Sequence, residues 1–149
     1  MLQTFDAIVI GAGQSGPSLA ARFAQRGKTV ALIEREHLGG TCVNDGCIPT
    51  KTLVASARAA HVVRNANTFG IEIGSAEMRV DMRAVKARKD AVVNQSVAGL
   101  SDWLGGLHGL TLIRGEARFV SPNRVRVGDD ELQAPKIFIN VGGRPTVPD

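Results

Sequence analysis

A chain of 149 residues, of which 44% are hydrophobic and 21% charged, has the length and composition of one soluble globular domain. Its net charge of +4 suits anionic ligands, but no block of Lys and Arg interleaves with aromatic residues as nucleic-acid binding would require. No apolar run reaches the length of a membrane span, and the first residues lack a leader pattern. We therefore expect no nucleic acid partner, no membrane partner and a cytoplasmic location.

The first motif is a glycine-rich turn between two apolar segments. Phe5 to Ile10 predicts a buried strand of a parallel sheet, and Pro17 to Arg26 predicts a helix. Between them, residues 11–16 read Gly-Ala-Gly-Gln-Ser-Gly, and a second apolar strand from Lys28 to Glu34 ends in an acid. A strand, a GxGxxG turn, a helix, a strand and an acid within about 30 residues indicate a dinucleotide-binding unit.

Each part of this unit has a role in binding the ADP portion of a dinucleotide. Gly11 allows the tight turn, Gly13 lets the backbone approach a pyrophosphate, and Gly16 allows close packing of the helix. The helix N-terminus attracts the anion, and Glu34 can accept hydrogen bonds from both ribose hydroxyls. This unit alone does not distinguish NAD from FAD, since both contain an ADP portion. An ordinary glycine-rich turn is the other interpretation.

The only two cysteines, Cys42 and Cys47, follow closely in the segment GGTCVNDGCIPTK, residues 39–51. Turn-forming residues between them let the two sulfurs meet. Pro49 predicts the first position of a helix that continues from Thr50 to about Asn65. Cys47 would then lie just ahead of a helix N-terminus, where the thiolate form is favoured.

This spacing favours a redox-active dithiol. A structural disulfide closing so small a loop would stabilise the fold by only about 2 kcal/mol. Two unrelated free thiols remain an alternative. A metal site also remains open, but there is no second cysteine pair and the three histidines are scattered, so we predict no metal. Lys51 follows Cys47 by one helical turn, and spacing alone leaves it either functional or an ordinary surface lysine.

The second half of the chain predicts one long helix and several strands. Residues 67–75 suggest a connection, and Met82 to about Leu107 has the apolar spacing of an amphipathic helix that begins with a basic cluster. A solvated face is the favoured interpretation of that cluster, with a phosphate or nucleic-acid patch as the alternative. The predicted strands are Thr111 to Arg114, a three-stranded antiparallel meander (Gly115 to Val120, Arg124 to Val127, Glu131 to Ala134) and Lys136 to Asn140.

Residues 39–51 resemble the redox-disulfide segment of the class I pyridine nucleotide–disulfide oxidoreductases. These flavoproteins include dihydrolipoamide dehydrogenase, glutathione reductase and mercuric reductase, and the first and last of these are the most similar branches. The resemblance extends from the first strand to the last residue. It implies an α/β fold for residues 1–149: a Rossmann-like FAD-binding domain with a parallel sheet, helices and a three-stranded antiparallel β-meander.

The resemblance also assigns roles by position. Cys47, nearer the flavin, would form the charge-transfer thiolate, Cys42 would be the thiol that exchanges with substrate, and Lys51 would tune the flavin. The family often has Ala-Thr before its second glycine turn, where this chain has Asn140-Val141. The implied FAD-binding residues are Gly11, Gly13, Gln14, Ser15, Gly16, Glu34, Arg35, Gly40, Thr41, Cys42, Gly46, Cys47, Lys51, Gly115, Glu116, Ala117, Val141, Gly142 and Gly143.

The implied function is FAD-dependent dithiol/disulfide oxidoreduction, in which electrons pass between NAD(P)H, FAD, the Cys42–Cys47 disulfide and a small-molecule or metal-ion substrate. The family continues with an NAD(P)H domain and an interface domain that supplies a His–Glu pair. We therefore expect residues 1–149 to be the N-terminal FAD-binding portion of a longer, homodimeric reductase, inactive on its own. An NAD-dependent enzyme with incidental cysteines and a non-catalytic FAD-binding module remain alternatives.

Overall fold

The computed structural model describes residues 1–74 and 78–148. The strands are β1 (Leu2–Thr4), β2 (Ala7–Ile10), β3 (Val30–Glu34), β4 (Leu110–Arg114), β5 (Ala117–Ser121), β6 (Arg124–Val127), β7 (Asp130–Gln133) and β8 (Ile137–Ile139). The helices are α1 (Gly16–Ala24), α2 (Gly40–Asn44), α3 (Cys47–Arg64) and α4 (Met82–Gly105). The connection predicted over residues 67–75 is partly a short 3-10 helix, Ala66–Phe69, and its residue 75 lies outside the described residues.

Four parallel strands form the central sheet in the order β4-β3-β2-β8. All residues of β2 and β3 are buried, which explains their continuous apolar sequences. Successive side chains point to opposite faces, so Val9 and Leu32 pack on the side of α1 and α4, whereas Ile8 and Ile33 pack on the other side. The central sheet therefore needs a cover on both faces.

The second sheet, in the order β1-β7-β6-β5, supplies one of those covers. Strands β5 to β7 are antiparallel and confirm the predicted meander. Val125 and Leu132 point from it into the apolar layer that also contains Ile8 and Ile33. β1 joins as a fourth strand, parallel to β7, and was not predicted because its three residues are exposed and show no apolar alternation.

The long helix α4 covers the opposite face together with α1. Asp81 caps α4 by accepting hydrogen bonds from the backbone N–H groups of Arg83 (2.8 Å) and Ala84 (3.1 Å). Leu104 is buried, and Val97, Leu100 and Leu107 pack against the same core. The predicted amphipathic face of α4 is confirmed, although the helix ends at Gly105. No helix in residues 1–74 and 78–148 is long and apolar enough to cross a membrane.

The sheet topology brings the ends of distant segments together. β2, β3, β4 and β8 run in the same direction, so the segments that follow them leave from one edge. The chain first winds from β2 toward β3 and β4 and later returns to the other side of β2 as β8. Ligands of such sheets bind in the crevice where the winding direction reverses, which here lies between β2 and β8.

The packing of the meander on the central sheet yields a stability prediction. Leu132 is fully buried, so Leu132→Ala should lower the free energy of unfolding by about 2–5 kcal/mol, through lost apolar burial and a residual cavity. Leu2→Ala is the matched control, since Leu2 is 52% exposed in the same sheet. Urea denaturation followed by circular dichroism measures both. Equal midpoints for the two variants would contradict this packing.

Candidate functional site

The glycine turn after β2 lies directly against the turn after β8. Gly11 has φ +101°, a conformation that side chains other than glycine rarely adopt, and a Cβ atom there would overlap the backbone carbonyl of Asn140. The Gly11 N–H donates to the carbonyl of Ile33 (2.8 Å), and the Asn140 N–H donates to the carbonyl of Ile10 (2.7 Å). Both turns are thus fixed to the central sheet and to each other.

Glu34, the last residue of β3, presents its carboxylate to the same turn. It is only 9% exposed. Its Oε2 accepts from the Ala12 N–H (2.7 Å) and its Oε1 from the Glu36 N–H (2.8 Å). These two bonds fix the carboxylate, and each oxygen keeps a lone pair that a ribose hydroxyl can use.

The segment that carries the cysteines is attached to the glycine turn. The Gly39 N–H donates to the carbonyl of Ala12 (2.8 Å), and Nε2 of Gln14 donates to the carbonyl of Gly39 (3.3 Å). A Cβ atom on Gly40, which has φ +58°, would lie 2.9 Å from the Cα atom of Gly13. The segment from Gly39 therefore begins in contact with the turn expected to bind pyrophosphate.

Cys42 and Cys47 form a disulfide, with their Cα atoms 4.7 Å apart. Cys42 lies in α2, a short helix that was not predicted, and is half-buried, whereas Cys47 is exposed. Cys47 is the first residue of α3, so it does not precede the helix as expected, and Pro49 occupies the third position instead of the first. Proline is tolerated there because the first four N–H groups of a helix have no partner within it.

Contacts other than the disulfide hold this segment in place. Nδ2 of Asn44 donates to the carbonyls of Leu38 and Gly40, both at 2.9 Å. Val43, which follows Cys42 in the chain, is buried. The hydroxyl of Thr52 donates to the carbonyl of Ile48 (2.8 Å) in the first turns of α3.

The remaining expected site residues fall into two groups, apart from Gly46, which is half-buried just before α3. Gly115 contacts the site, since its N–H donates to the Glu34 carbonyl (2.9 Å), and Glu116 and Ala117 follow it. The others are exposed to solvent: Thr41, Lys51, Arg35, Val141, Gly142 and Gly143. Lys51 lies on α3 one turn after Cys47, as the spacing predicted.

The side chain of Asn140 is the feature that sequence analysis did not assign to the site. Its Oδ1 accepts from the hydroxyl of Ser15 (2.7 Å), and its Nδ2 donates to the carbonyl of Gly11 (3.1 Å). The departure from the Ala-Thr pattern of the resembling family was the only sequence signal for it.

The basic cluster at the start of α4 makes bonds within the chain. Lys86 and Lys89 both pair with Asp90, and their hydrogen bonds hold the pKa of that half-buried carboxyl below its usual value. Nη1 of Arg88 donates to the carbonyl of Thr52 (3.0 Å), which joins α4 to α3. These bonds fit the interpretation of this cluster as a solvated, structural face.

The donors and the shape of this crevice fit a dinucleotide. Ser15 precedes α1 without making a side-chain capping bond, so the N–H groups of the first helical turn remain available to an anion. A Cβ atom at Gly13 would meet only Nδ2 of Asn140, at 3.6 Å, so the backbone there is open to a close ligand. Within residues 1–74 and 78–148, no group of three or more His, Cys, Asp or Glu residues is placed to hold a metal ion.

Fold and site together define a dinucleotide-binding α/β domain with a disulfide attached to its glycine turn. The model of the family described as pyridine nucleotide-disulphide oxidoreductase matches residues 5–149. The chain therefore belongs to that family, as the segment at residues 39–51 predicted.

Relatives of known name agree with this assignment. The chain is 36% identical over 141 residues to dihydrolipoyl dehydrogenase of Bacillus subtilis (strain 168), covering 92% of this chain and 31% of that protein. It is 34% identical over 148 residues to mercuric reductase of Lysinibacillus sphaericus, covering 97% of this chain and 26% of that protein.

A solved structure shares the fold. The HOCl-induced flavoprotein disulfide reductase RclA from Escherichia coli, determined as a Cu(II) complex, superposes with a TM-score of 0.81 at 34% identity. The match covers 98% of this chain and 30% of that one, so the chain spans less than a third of the length of each of these three proteins. The predicted Rossmann-like α/β fold is confirmed.

The tight packing around the glycine turn is testable with two helical glycines. A Cβ atom on Gly16, the first residue of α1, would overlap the Gly11 carbonyl oxygen, so Gly16→Ala should destabilise the fold by about 1–3 kcal/mol. Gly99 in α4 has open space around its Cα atom, so Gly99→Ala should stabilise it by about 0.5–1 kcal/mol. Thermal melts followed by circular dichroism should shift in opposite directions. A melting temperature of Gly16→Ala equal to or above that of the wild type would refute the close approach at Gly16.

Proposed function

We propose that this chain is the FAD-binding portion of a flavin-dependent dithiol/disulfide oxidoreductase, with Cys42 and Cys47 as its redox pair. The observation that carries the proposal is the attachment of the disulfide segment to the glycine turn, through the hydrogen bond from the Gly39 N–H to the carbonyl of Ala12. Dinucleotide site and disulfide are thereby parts of one structure.

The residues of the crevice suit the ADP half of FAD. The first turn of α1 would hold the pyrophosphate, and Gly13 leaves room for it to approach the backbone. Glu34 would accept hydrogen bonds from ribose hydroxyls, and its negative charge disfavours a 2′-phosphate. When bound, the flavin would supply two-electron transfer between a nicotinamide and the disulfide.

The cysteines carry the electrons toward substrate. The disulfide takes up two electrons and two protons, its S–S bond breaks, and two thiols form. Cys42 would then exchange with a small-molecule disulfide or deliver electrons to a metal ion, and the disulfide re-forms as the substrate is reduced. Cys47 lies at the N-terminus of α3, where the helix dipole stabilises a thiolate. Lys51, one turn further along α3, would face the flavin and tune it.

The whole protein's other properties belong to the same proposal. NAD(P)H as electron donor, a homodimer and a cytoplasmic location are supported by the family resemblance, and the two named relatives are about three to four times as long as this chain. The chemistry needs a nicotinamide held against the flavin and a general base for the incoming thiol. Additional residues of the whole protein would provide both.

A substitution at Gly13 should weaken FAD binding without affecting folding. A Cβ atom there makes only an ordinary contact, so Gly13→Ala should fold normally, while its methyl group blocks the approach of the pyrophosphate and weakens FAD binding at least tenfold. Titration of the apoprotein with FAD, followed by quenching of flavin fluorescence, measures this. Gly99→Ala is the control, since Gly99 lies in α4 with open space around it. A wild-type protein that binds NAD and no flavin would refute the proposal.

The roles of the two cysteines can be tested by alkylation. After reduction, limiting iodoacetamide should label Cys42 first in the FAD-loaded protein, because the flavin would cover Cys47. Without FAD, the greater exposure of Cys47 should shift labelling toward it. Peptide mass mapping gives the ratio of the two labels.

Two results would contradict this assignment. Preferential labelling of Cys47 in the FAD-loaded protein would reverse the roles of the thiols. A thiol count that reductant leaves unchanged in an air-oxidised sample would exclude the redox disulfide itself. The labelling ratio of an Arg58→Ala variant serves as a control for local unfolding of α3, because Arg58 is exposed on that helix and has no proposed role at the flavin.

A further inference from the structure

Asn140 occupies the space that all three glycines of the fingerprint leave open. Its backbone carbonyl lies where a Cβ atom of Gly11 would be. Its Nδ2 lies 3.0 Å from the Cβ position of Gly16 and 3.6 Å from that of Gly13. The absence of a side chain at these three glycines therefore makes room for Asn140 as well as for a ligand.

The side chain of Asn140 joins two parts of the turn that are otherwise separate. Oδ1 accepts from the hydroxyl of Ser15, immediately before α1, and Nδ2 donates to the carbonyl of Gly11, immediately after β2. The backbone of Asn140 is itself held by the hydrogen bond to the carbonyl of Ile10. One amide group thus fixes both ends of the glycine turn to the end of β8.

Ser15 shows the consequence of this link. Serine at this position of a helix commonly accepts a hydrogen bond from an N–H group of the first turn. Here Ser15 makes no such capping bond, and its hydroxyl donates to Asn140 instead. The N–H groups at the start of α1 are left to a ligand.

We propose that Asn140 is a positioning residue for the dinucleotide pyrophosphate: it holds Ser15 and Gly11 so that the first turn of α1 stays open and directed at the anion. This inference rests on the proposed function, since it requires that the crevice binds FAD. Nothing in the resemblance assigns a role to this side chain, because the family often has alanine there.

The test measures FAD affinity in the full-length protein that carries this chain. Apoprotein is titrated with FAD, and quenching of flavin fluorescence gives the Kd. Asn140→Ala should raise the Kd about tenfold, because two hydrogen bonds that order the turn are lost. Asn140→Asp should raise it further, although it has the same shape, because a carboxylate cannot donate to the Gly11 carbonyl and adds negative charge beside the pyrophosphate.

A double-mutant cycle tests whether Asn140 acts through Ser15. Ser15→Ala alone should raise the Kd. Because the two side chains share one hydrogen bond, the loss of binding free energy in the double variant should be smaller than the sum of the losses in the two single variants. Asn123→Ala is the matched control, since Asn123 accepts a similar serine hydrogen bond from Ser121 (3.0 Å) in the turn between β5 and β6. Its Kd should equal that of the wild type.

The outcomes separate the two proposals. A wild-type protein with no affinity for FAD overturns the proposed function. If the wild type binds FAD, a Kd for Asn140→Ala within twofold of the wild type overturns the role of Asn140. An Asn140→Asp variant with wild-type affinity also overturns this role, because it would mean that only the shape of the side chain matters. Binding free energy losses that are strictly additive for Asn140→Ala and Ser15→Ala overturn it as well. If Asn140→Ala does not fold, the Asn140→Asp and Ser15→Ala variants decide by the same criteria.

Discussion

The contact between the turn after β2 and the turn after β8 is the constraint on which the rest of the site depends. It is possible only because Gly11 has no side chain and adopts a positive φ angle, so that the backbone of Asn140 can lie against it. The two turns are 129 residues apart in sequence, yet backbone hydrogen bonds fix each of them to the central sheet. The position of α1 and of its N-terminus follows from this contact.

Glu34 extends the same constraint to β3. A buried carboxylate is costly unless hydrogen bonds satisfy it, and the N–H groups of Ala12 and Glu36 do so here. Because Ala12 also accepts from Gly39, the acid, the glycine turn and the cysteine segment form one connected set of hydrogen bonds. This connection explains how a fold built for nucleotide binding can place a disulfide at a fixed position beside it.

Local patterns predicted much of this structure, and long-range contacts account for the rest. The continuous apolar sequences of β2 and β3 predict strands correctly because both faces of a parallel strand are buried. β1 escaped prediction because its pairing with β7 joins residues far apart in sequence, and its side chains are exposed. The sequence did not predict α2, because Gly39 and Gly40 suggest a turn. The hydrogen bond from Ser15 to Asn140 joins residues far apart in the chain, so no local sequence pattern predicts it.

The hydrogen bonds of Asn44 have a consequence for the disulfide beside it. They anchor α2 to the carbonyls of Leu38 and Gly40 without involving either sulfur. The disulfide closes only a very short loop, so its loss gives the unfolded chain little additional freedom. In the proposed function, the S–S bond can therefore open and close repeatedly, because the contacts that hold α2 do not depend on it.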